Sequence, residues 1–323
     1  MESTSTKREL VKFTNHKGNL EVYDWTNSQK VVTNEVGLNN VEDIDEGVLI
    51  NDWGISLSYS NTDEEFSSFK VAYPHEQLKV NGVIDKVCPI AKGSRCLVKA
   101  GVNVGKTTLI KMMAASISVN QPEVKQFALL IDERPEEVSD FEDNFKGMTI
   151  ASTFDADDDD HVLKAELTLS VLKRLVENGD DVVLYIDSIS RLARSYNVIA
   201  PSGEKILSGG VTGSSLHKVK EVLGAARCFK NHKGSLTIVS TVLEGTDSKA
   251  DDAVRTELIG TGNCIIQLSD RLAAQGYFPA VDVMSSKTRN DELIRPKNQW
   301  VEMILKNSYS DPCRKYQEIL RIK

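Results

Sequence analysis

The chain lacks any uninterrupted apolar run of membrane-spanning length, and its opening residues, MESTSTKREL, do not form a basic-then-apolar leader. We therefore expect a cytoplasmic protein with no membrane partner. Cysteine is scarce: Cys88, Cys96, Cys228, Cys264 and Cys313 make an odd set without a CxxC pair, which argues against a disulfide framework and against structural zinc. Small buried hydrophobes are the expected role for them. The five histidines are scattered, none at metal-ligand spacing. Positive charge is short too, 39 Lys+Arg against 47 Asp+Glu, and the first segment, where the deficit lies, announces no basic face for gripping nucleic-acid backbones in bulk. The deficit is local. Residues 1–65 hold 5 Lys+Arg against 13 Asp+Glu, and the remainder balances at 34 of each.

With 323 residues, 40% of them hydrophobic and 27% charged, the chain is long enough for two domains or for one large α/β domain with an appendage. Its most informative stretch is RCLVKAGVNVGKTTLIK, residues 95–111, where an apolar run breaks into glycines and ends in Gly105-Lys106-Thr107-Thr108 ahead of a helical pattern. This reads as a nucleotide-binding P-loop. Such a loop turns backbone N–H groups toward one point, adds a lysine for the β and γ phosphates and offers a hydroxyl to Mg²⁺. The following helix brings the positive end of its dipole to the same anion. The pattern asks for glycine five residues before Gly105; Ala100 stands there, with Gly101 next to it. A plain glycine turn between strand and helix is the competing reading.

Residues 7–60 contain short β-prone pieces, Leu20 to Tyr23, Lys30 to Thr33 and Ile55 to Tyr59, separated by Asn, Gly and Asp. Phe13, Tyr23, Trp25, Trp53 and Tyr59 are a base-stacking platform or, more simply, the core of this small unit. The expected division is a small acidic β-rich domain over 1–65, a connector over 66–82, a large domain over 83–305 and a tail over 306–323. From Val83 onward apolar strands alternate with amphipathic helices, the signature of a mainly parallel sheet covered on both faces. Expected strands are Cys96 to Lys99, Phe127 to Asp132, Thr149 to Ser152, Val182 to Asp187 and Leu236 to Thr241; expected helices are Thr107 to Ser118, His161 to Asn178 and Leu216 to Phe229. The run DADDDD, residues 155–160, is read as a helix cap rather than a cation site, because carboxylates favour a helix start.

A P-loop needs a partner acid for Mg²⁺ and an acid that aligns the attacking water. VVLYID ends in Asp187 followed by Ser188, the Walker B arrangement, and the strand Phe127 to Ile131 ends in Asp132-Glu133-Arg134-Pro135-Glu136-Glu137. Glu133 is the natural water-polarising base.

At this point the chain resembles the family of bacterial transcription termination factor Rho. The words that carry the resemblance are LLIDERPEEV, ASTFD, IDSISRLARSYN, PSGEKILSGGV, LGAAR, GSLTIVST, GTDSK, GTGN, FPAVD and KTR. The resemblance implies a RecA-like P-loop NTPase core preceded by the small β-rich unit, and an RNA-dependent ATPase and helicase motor built as a homo-oligomeric ring, a hexamer. It also implies ATP and Mg²⁺ as ligands, held by Gly101, Val102, Asn103, Val104, Gly105, Lys106, Thr107 and Thr108, with Arg134 and Phe278 beside them and Asp187 joining Thr107 at the metal. Catalysis falls to Glu133, Lys106 and Arg289, the last matching an arginine finger inserted into the neighbouring subunit's site. RNA would be gripped in the central pore by Lys205 and Gly209 in one loop and Thr246, Ser248 and Lys249 in another. RNA polymerase or a full-length Rho would be further partners.

The chain also departs from the family. Asn103 stands where a second P-loop lysine is usual, and Asp270, Gln275 and Gly276 replace basic residues before FPAVD, leaving Arg271. The first 65 residues are short and acidic beside the family's RNA-binding region. A second reading therefore stays open: a divergent paralogue that binds nucleotide and assembles but acts mainly as a regulatory or interaction protein. A ring ATPase acting on protein or DNA is a third.

Overall fold

The computed structural model describes residues 10–14, 20–24, 29–30, 82–229, 234–291, 294 and 311–321. Near the N-terminus β1 (Leu10–Thr14), β2 (Leu20–Asp24) and β3 (Gln29–Lys30) form an antiparallel three-stranded sheet in sequence order. This agrees with the β-rich expectation. The piece Ile55 to Tyr59, the residues Trp25 and Trp53, and the side chains of Phe13 and Tyr23 lie outside the described residues.

Among the described residues of the larger unit the first element is α1 (Gly82–Val87). The unit continues β4 (Arg95–Ala100), α2 (Lys106–Asn120), β5 (Lys125–Glu133), α3 (Pro135–Asn144), β6 (Met148–Thr153), α4 (Asp158–Glu177), β7 (Asp181–Asp187) and α5 (Ile189–Val198). Then come α6 (Gly213–Gly224), β8 (Arg227–Cys228), β9 (Ser235–Leu243), α7 (Lys249–Thr261), β10 (Cys264–Gln267), α8 (Asp270–Ala274), β11 (Lys287–Thr288) and α9 (Pro312–Arg321). The sheet runs β11-β10-β4-β9-β7-β5-β6; β10, β4, β9, β7, β5 and β6 are parallel, while β11 and β8 pair antiparallel with β10 and β9.

Burial on both sides explains why the strands read as continuous apolar runs rather than alternating ones. Along β7, Val182, Leu184 and Ile186 enter a core shared with α4, α5 and α6, whereas Val183 and Tyr185 enter a second core shared with α1, α2 and α3. α9 seats Cys313, Tyr316 and Ile319 in this second core, so part of the expected tail is a packed helix. The acid run caps α4 as expected: Asp157 accepts from the Asp160 N–H at 2.8 Å. α3 and α5 have no counterpart in the periodicity reading; α3 buries only Val138 and Phe141 and is otherwise polar. The expected helix from Leu216 to Phe229 stops at Gly224, because Arg227 and Cys228 pair with β9 instead. Among the described residues no helix is long and apolar enough to cross a membrane.

Tyr185, 1% exposed, ties the second core together through polar atoms. Its hydroxyl donates to Gln126 Oε1 at 2.9 Å, and Gln126 Nε2 donates in turn to the Ala114 carbonyl at 3.0 Å and to Ser118 Oγ at 2.8 Å, fixing β7 and β5 to α2. Tyr185→Phe leaves a buried acceptor without its donor, which costs about 1–3 kcal/mol. Chemical denaturation should show that loss, with ATP affinity unchanged; an undiminished midpoint would refute the role given to this chain of hydrogen bonds.

Candidate nucleotide site

Parallel strands place their C-terminal ends along one edge, where an open α/β sheet forms its ligand crevice. Four such ends meet here. Between β4 and α2, residues Gly101, Val102, Asn103, Val104, Gly105, Lys106, Thr107 and Thr108 form one continuous turn into the first turn of the helix. Its curvature needs left-handed backbone at Asn103 (φ 61°) and Gly105 (φ 94°), conformations that glycine adopts without cost and asparagine tolerates. Gly105 is required for a second reason, since a Cβ there would lie 2.6 Å from the Phe278 ring. Lys106 Nζ donates to the Gly101 carbonyl at 2.8 Å. Burial lowers the ammonium's pKa, against the raising influence of Asp187 and Glu133.

Asp187 ends β7 and is 3% exposed. Its Oδ2 accepts from the Thr107 hydroxyl at 2.7 Å and its Oδ1 from the Thr241 hydroxyl at 2.6 Å, so a residue of β9 orients the acid toward the loop. A threonine hydroxyl and a carboxylate held side by side are hard oxygen donors of the kind Mg²⁺ takes.

Glu133 ends β5 just beyond a bulge. The pairing of β5 with β6 shifts between Ile131 and Glu133, and Asp132 takes φ 57°, which turns Glu133 toward the crevice. Arg191 on α5 holds this turn from below, donating to the Asp132 carbonyl and pairing with Glu133 Oε1 at 2.9 Å. Burial, a hydrogen bond shared with Glu137 and the Asp187 carboxylate nevertheless push the Glu133 pKa up to about 8 against the pull of Arg191. Arg134 is exposed at the N-cap position of α3, next to Glu133. The Phe278 ring, also exposed, closes over Gly105. An acid joins the rim: a Cβ at Gly101 would sit 3.1 Å from an Asp270 carboxylate oxygen.

Arg289 is not part of this cluster. Its N–H donates to the Asn263 carbonyl at 2.7 Å, and the Asn263 N–H donates to the carbonyl of Arg95, which opens β4. The P-loop leaves the other end of β4, roughly 17 Å away at the rise of a strand. Exposed at the far end of the sheet, Arg289 cannot reach the phosphate loop of its own chain.

The two loops expected to touch RNA come together. A Cβ on Gly209, whose φ is 76°, would lie 2.2 Å from the Lys249 carbonyl oxygen, so one loop seats directly on the other. Lys205 and Lys249 are exposed, with no side-chain partner among the described residues. The hydroxyls nearby hold the loop's own shape: Thr246 donates to Asp251 Oδ2 at 2.6 Å, and Ser248 caps α7 by accepting from the Asp251 N–H at 3.3 Å. Asp251, 2% exposed, is clamped by Arg194 Nε at 3.0 Å and Nη2 at 2.5 Å. Arg191, Arg194 and Thr241 are not among the site residues expected from the sequence. The first two follow Asp187 by four and seven residues on a helix that Ser188 caps, a spacing that was there to be used.

Residues 81–288 match the nucleotide-binding domain of the ATP synthase alpha/beta family. The chain is 41% identical over 258 residues to transcription termination factor Rho of Neisseria gonorrhoeae, covering 76% of this chain and 61% of that protein. It is 45% identical to Rho of Micrococcus luteus, covering 71% of this chain and 34% of the relative, and 41% identical to Rho of Karelsulcia muelleri strain SMDSEM, covering 75% and 66%. The chain thus spans about one to two thirds of the length of these relatives. Among solved structures it superposes on a prototypical ATPase from the type III secretion system of pathogenic bacteria with TM-score 0.63 and 25% identity, covering 71% of this chain and 64% of that one. The assembled type III secretion ATPase EscN of enteropathogenic E. coli gives TM-score 0.61 at 23% identity, covering 73% and 55%. The chain belongs to the ATP synthase alpha/beta family of nucleotide-binding domains, and within that fold its sequence is similar to Rho termination factors.

Proposed function

We propose that this chain is a Rho-type ATPase that hydrolyses ATP at the interfaces of a homo-oligomeric ring and uses the cycle to move RNA through the central pore. The observation that carries this reading is the split of the catalytic set. Lys106, Thr107, Asp187 and Glu133 meet at one edge of the sheet, while Arg289 stands exposed at the opposite edge. A finger so placed serves only a neighbouring copy. Hydrolysis then waits for interfaces to close, because the guanidinium offsets charge on the transferring phosphoryl only on insertion.

In this reading the loop Gly101 to Thr108 cradles the triphosphate through backbone N–H groups, and Lys106 exchanges the Gly101 carbonyl for the phosphates. Thr107 and Asp187 would hold Mg²⁺, which supplies charge neutralisation to the β and γ oxygens. Phe278 offers the base a face, and Arg134 lies where it reaches phosphate or a neighbour. Glu133, held by Arg191, would accept the proton of the attacking water in its ionised form, which the Arg191 guanidinium favours. α5 also links the two sites: Arg191 grips the Glu133 turn and Arg194, one turn further on, grips the Asp251 carboxylate that shapes the Lys249 loop. Movement of Glu133 is thereby felt at the pore, where Lys205, Gly209, Thr246, Ser248 and Lys249 would meet RNA. One cation per loop suffices, since a ring repeats it in every subunit and counters the acidic whole locally. RNA polymerase is the natural target of such pulling, and the domain boundary is placed near residue 82.

A second reading, a nucleotide-binding paralogue that assembles with a full-length Rho and regulates it, is favoured by Asp270. A carboxylate against the P-loop opposes phosphate binding and slows turnover.

Steady-state phosphate release separates the two. The motor reading predicts release that rises with homopolymeric RNA, falls to background in Lys106→Ala, and falls about 10²–10⁴-fold in Glu133→Gln. Release untouched by any homopolymer, in folded protein, would favour the regulator.

The Glu133 proton gives a further check. The folded chain holds it up to about 8, whereas an unfolded chain releases it near the ordinary 4.5, so folding takes up a proton in that window. This group's contribution to stability therefore declines as pH rises from about 4.5 to about 8. In nucleotide-free protein the denaturation midpoint of the wild type should lose ground to that of Glu133→Gln across the same window. Parallel curves would contradict the burial argument.

A further inference from the structure

The ring of Phe278 lies on Gly105 without being buried, so something else must fix the segment that carries it. The residues on either side are both gripped by α9. On one side, the Tyr316 hydroxyl donates to the Pro279 carbonyl at 2.7 Å, an oxygen that also accepts from the Val281 N–H at 2.8 Å. On the other, the Tyr316 ring meets Tyr277 edge-on, with centroids 5.5 Å apart and planes at 62°, and Gln317 Nε2 donates to the Tyr277 hydroxyl. Tyr316 is 1% exposed, and burial pushes its phenol up, so the hydroxyl keeps its proton for donation. α9 is itself anchored: Cys313 Sγ lies 2.9 Å from Gln275 Oε1, Arg271 pairs with Asp311 at 2.7 Å, and Ile319 is buried.

We propose that Tyr316, reaching in from the C-terminal helix, is a positioning residue for the nucleotide base: by holding Tyr277 and Pro279 it fixes Phe278 between them as a rigid face beside the P-loop. The proposal rests on the reading of Gly101 to Thr108 as the phosphate cradle and of Phe278 as the base contact. Its physical content is preorganisation. A ring already held in place spares the bound nucleotide the entropy of ordering it, and this gain concerns the base, because the hydrogen bond and ring contact of Tyr316 go to Pro279 and Tyr277 and not to the phosphate loop. The C-terminal helix would thus set how strongly the site distinguishes a nucleotide from a bare polyphosphate.

The test compares two ligands on the full chain in Mg²⁺ buffer: ATP, and inorganic tripolyphosphate, which carries the phosphates without a base. Tyr316→Phe keeps the ring and removes the donor. ATP affinity should fall about twofold to tenfold, the range of one net hydrogen bond, with tripolyphosphate affinity unchanged and KM for ATP rising while kcat holds. Phe278→Ala should show the same base-dependent loss, and the double variant should lose no more than Phe278→Ala alone. Gln317→Ala, on an exposed residue, should weaken ATP in the same direction, and it decides alone if Tyr316→Phe does not fold. Suppose Phe278→Ala weakens ATP but Tyr316→Phe and Gln317→Ala do not: the positioning role is overturned and the base contact stands. Equal losses for both ligands in Tyr316→Phe would reduce its role to general packing and overturn the proposal. Should Phe278→Ala leave ATP affinity intact, the reading of Phe278 fails and the proposal with it.

Discussion

Carboxylates outnumber cations at the P-loop, and much of the local architecture answers that imbalance. Glu133 and Asp187 are held in a crevice rimmed by Asp132, Glu137 and Asp270, with Lys106 and Arg191 as the cations that face them. Two responses are visible. Hydroxyl donors from Thr107 and Thr241 satisfy Asp187, and Glu133 shifts toward its protonated form even with a guanidinium 2.9 Å away. A triphosphate adds more negative charge. On the proposed function, binding it productively would call for the backbone dipoles of the loop and helix, for Mg²⁺ at Thr107 and Asp187, and for one more cation from outside the chain. Arg289, exposed and far from its own crevice, is suited to be that cation for another copy.

The same charges reach the paired loops at Gly209 and Lys249 through packing. α5 is ten residues long, about 15 Å, with Arg191 in its first turn and Arg194 one turn further on, and it lies against the core that contains β5, β7 and β9. Arg191 reports on the turn at Asp132 and Glu133; Arg194 reports on Asp251, which in turn orients Thr246. A rigid helix between two ion pairs needs no unfolding to transmit a shift. At the sheet's other face α9 does comparable work for the base side, through Tyr316.

Much of this was legible in the residues alone. The P-loop, the acids at the ends of β5 and β7 and the parallel sheet follow from apolar runs that end in Gly or Asp, because burial on both faces erases alternation and leaves length and punctuation as signals. DADDDD is legible as a cap for the same local reason: Asp157 caps α4 within three residues. Less visible was whatever depends on distant segments meeting. α3 has too few apolar positions to announce itself. The end of α6 was overrun because the pairing of Arg227 and Cys228 with β9 is a tertiary fact. Thr241 and Tyr316 lie 54 and 37 residues from the groups they hydrogen-bond, Asp187 and Pro279, and Asp270 lies 169 residues from Gly101, which it faces. No local pattern marks such pairs. Arg191 differs, since its spacing from Asp187 was available and a helix after the Asp187 strand would have placed it beneath the acid.

The claim on which the account turns is that each working site is completed by a second copy of the chain. The most direct measurement mixes two variants, Glu133→Gln and Arg289→Ala, each expected to be nearly silent alone, and follows phosphate release. Random assembly rebuilds a complete site wherever an intact Glu133 faces an intact Arg289 across an interface. The account predicts activity in the mixture well above the sum of the separate variants, up to about a quarter of the wild type. A mixture no more active than its parts, with both variants folded and assembled, would contradict it.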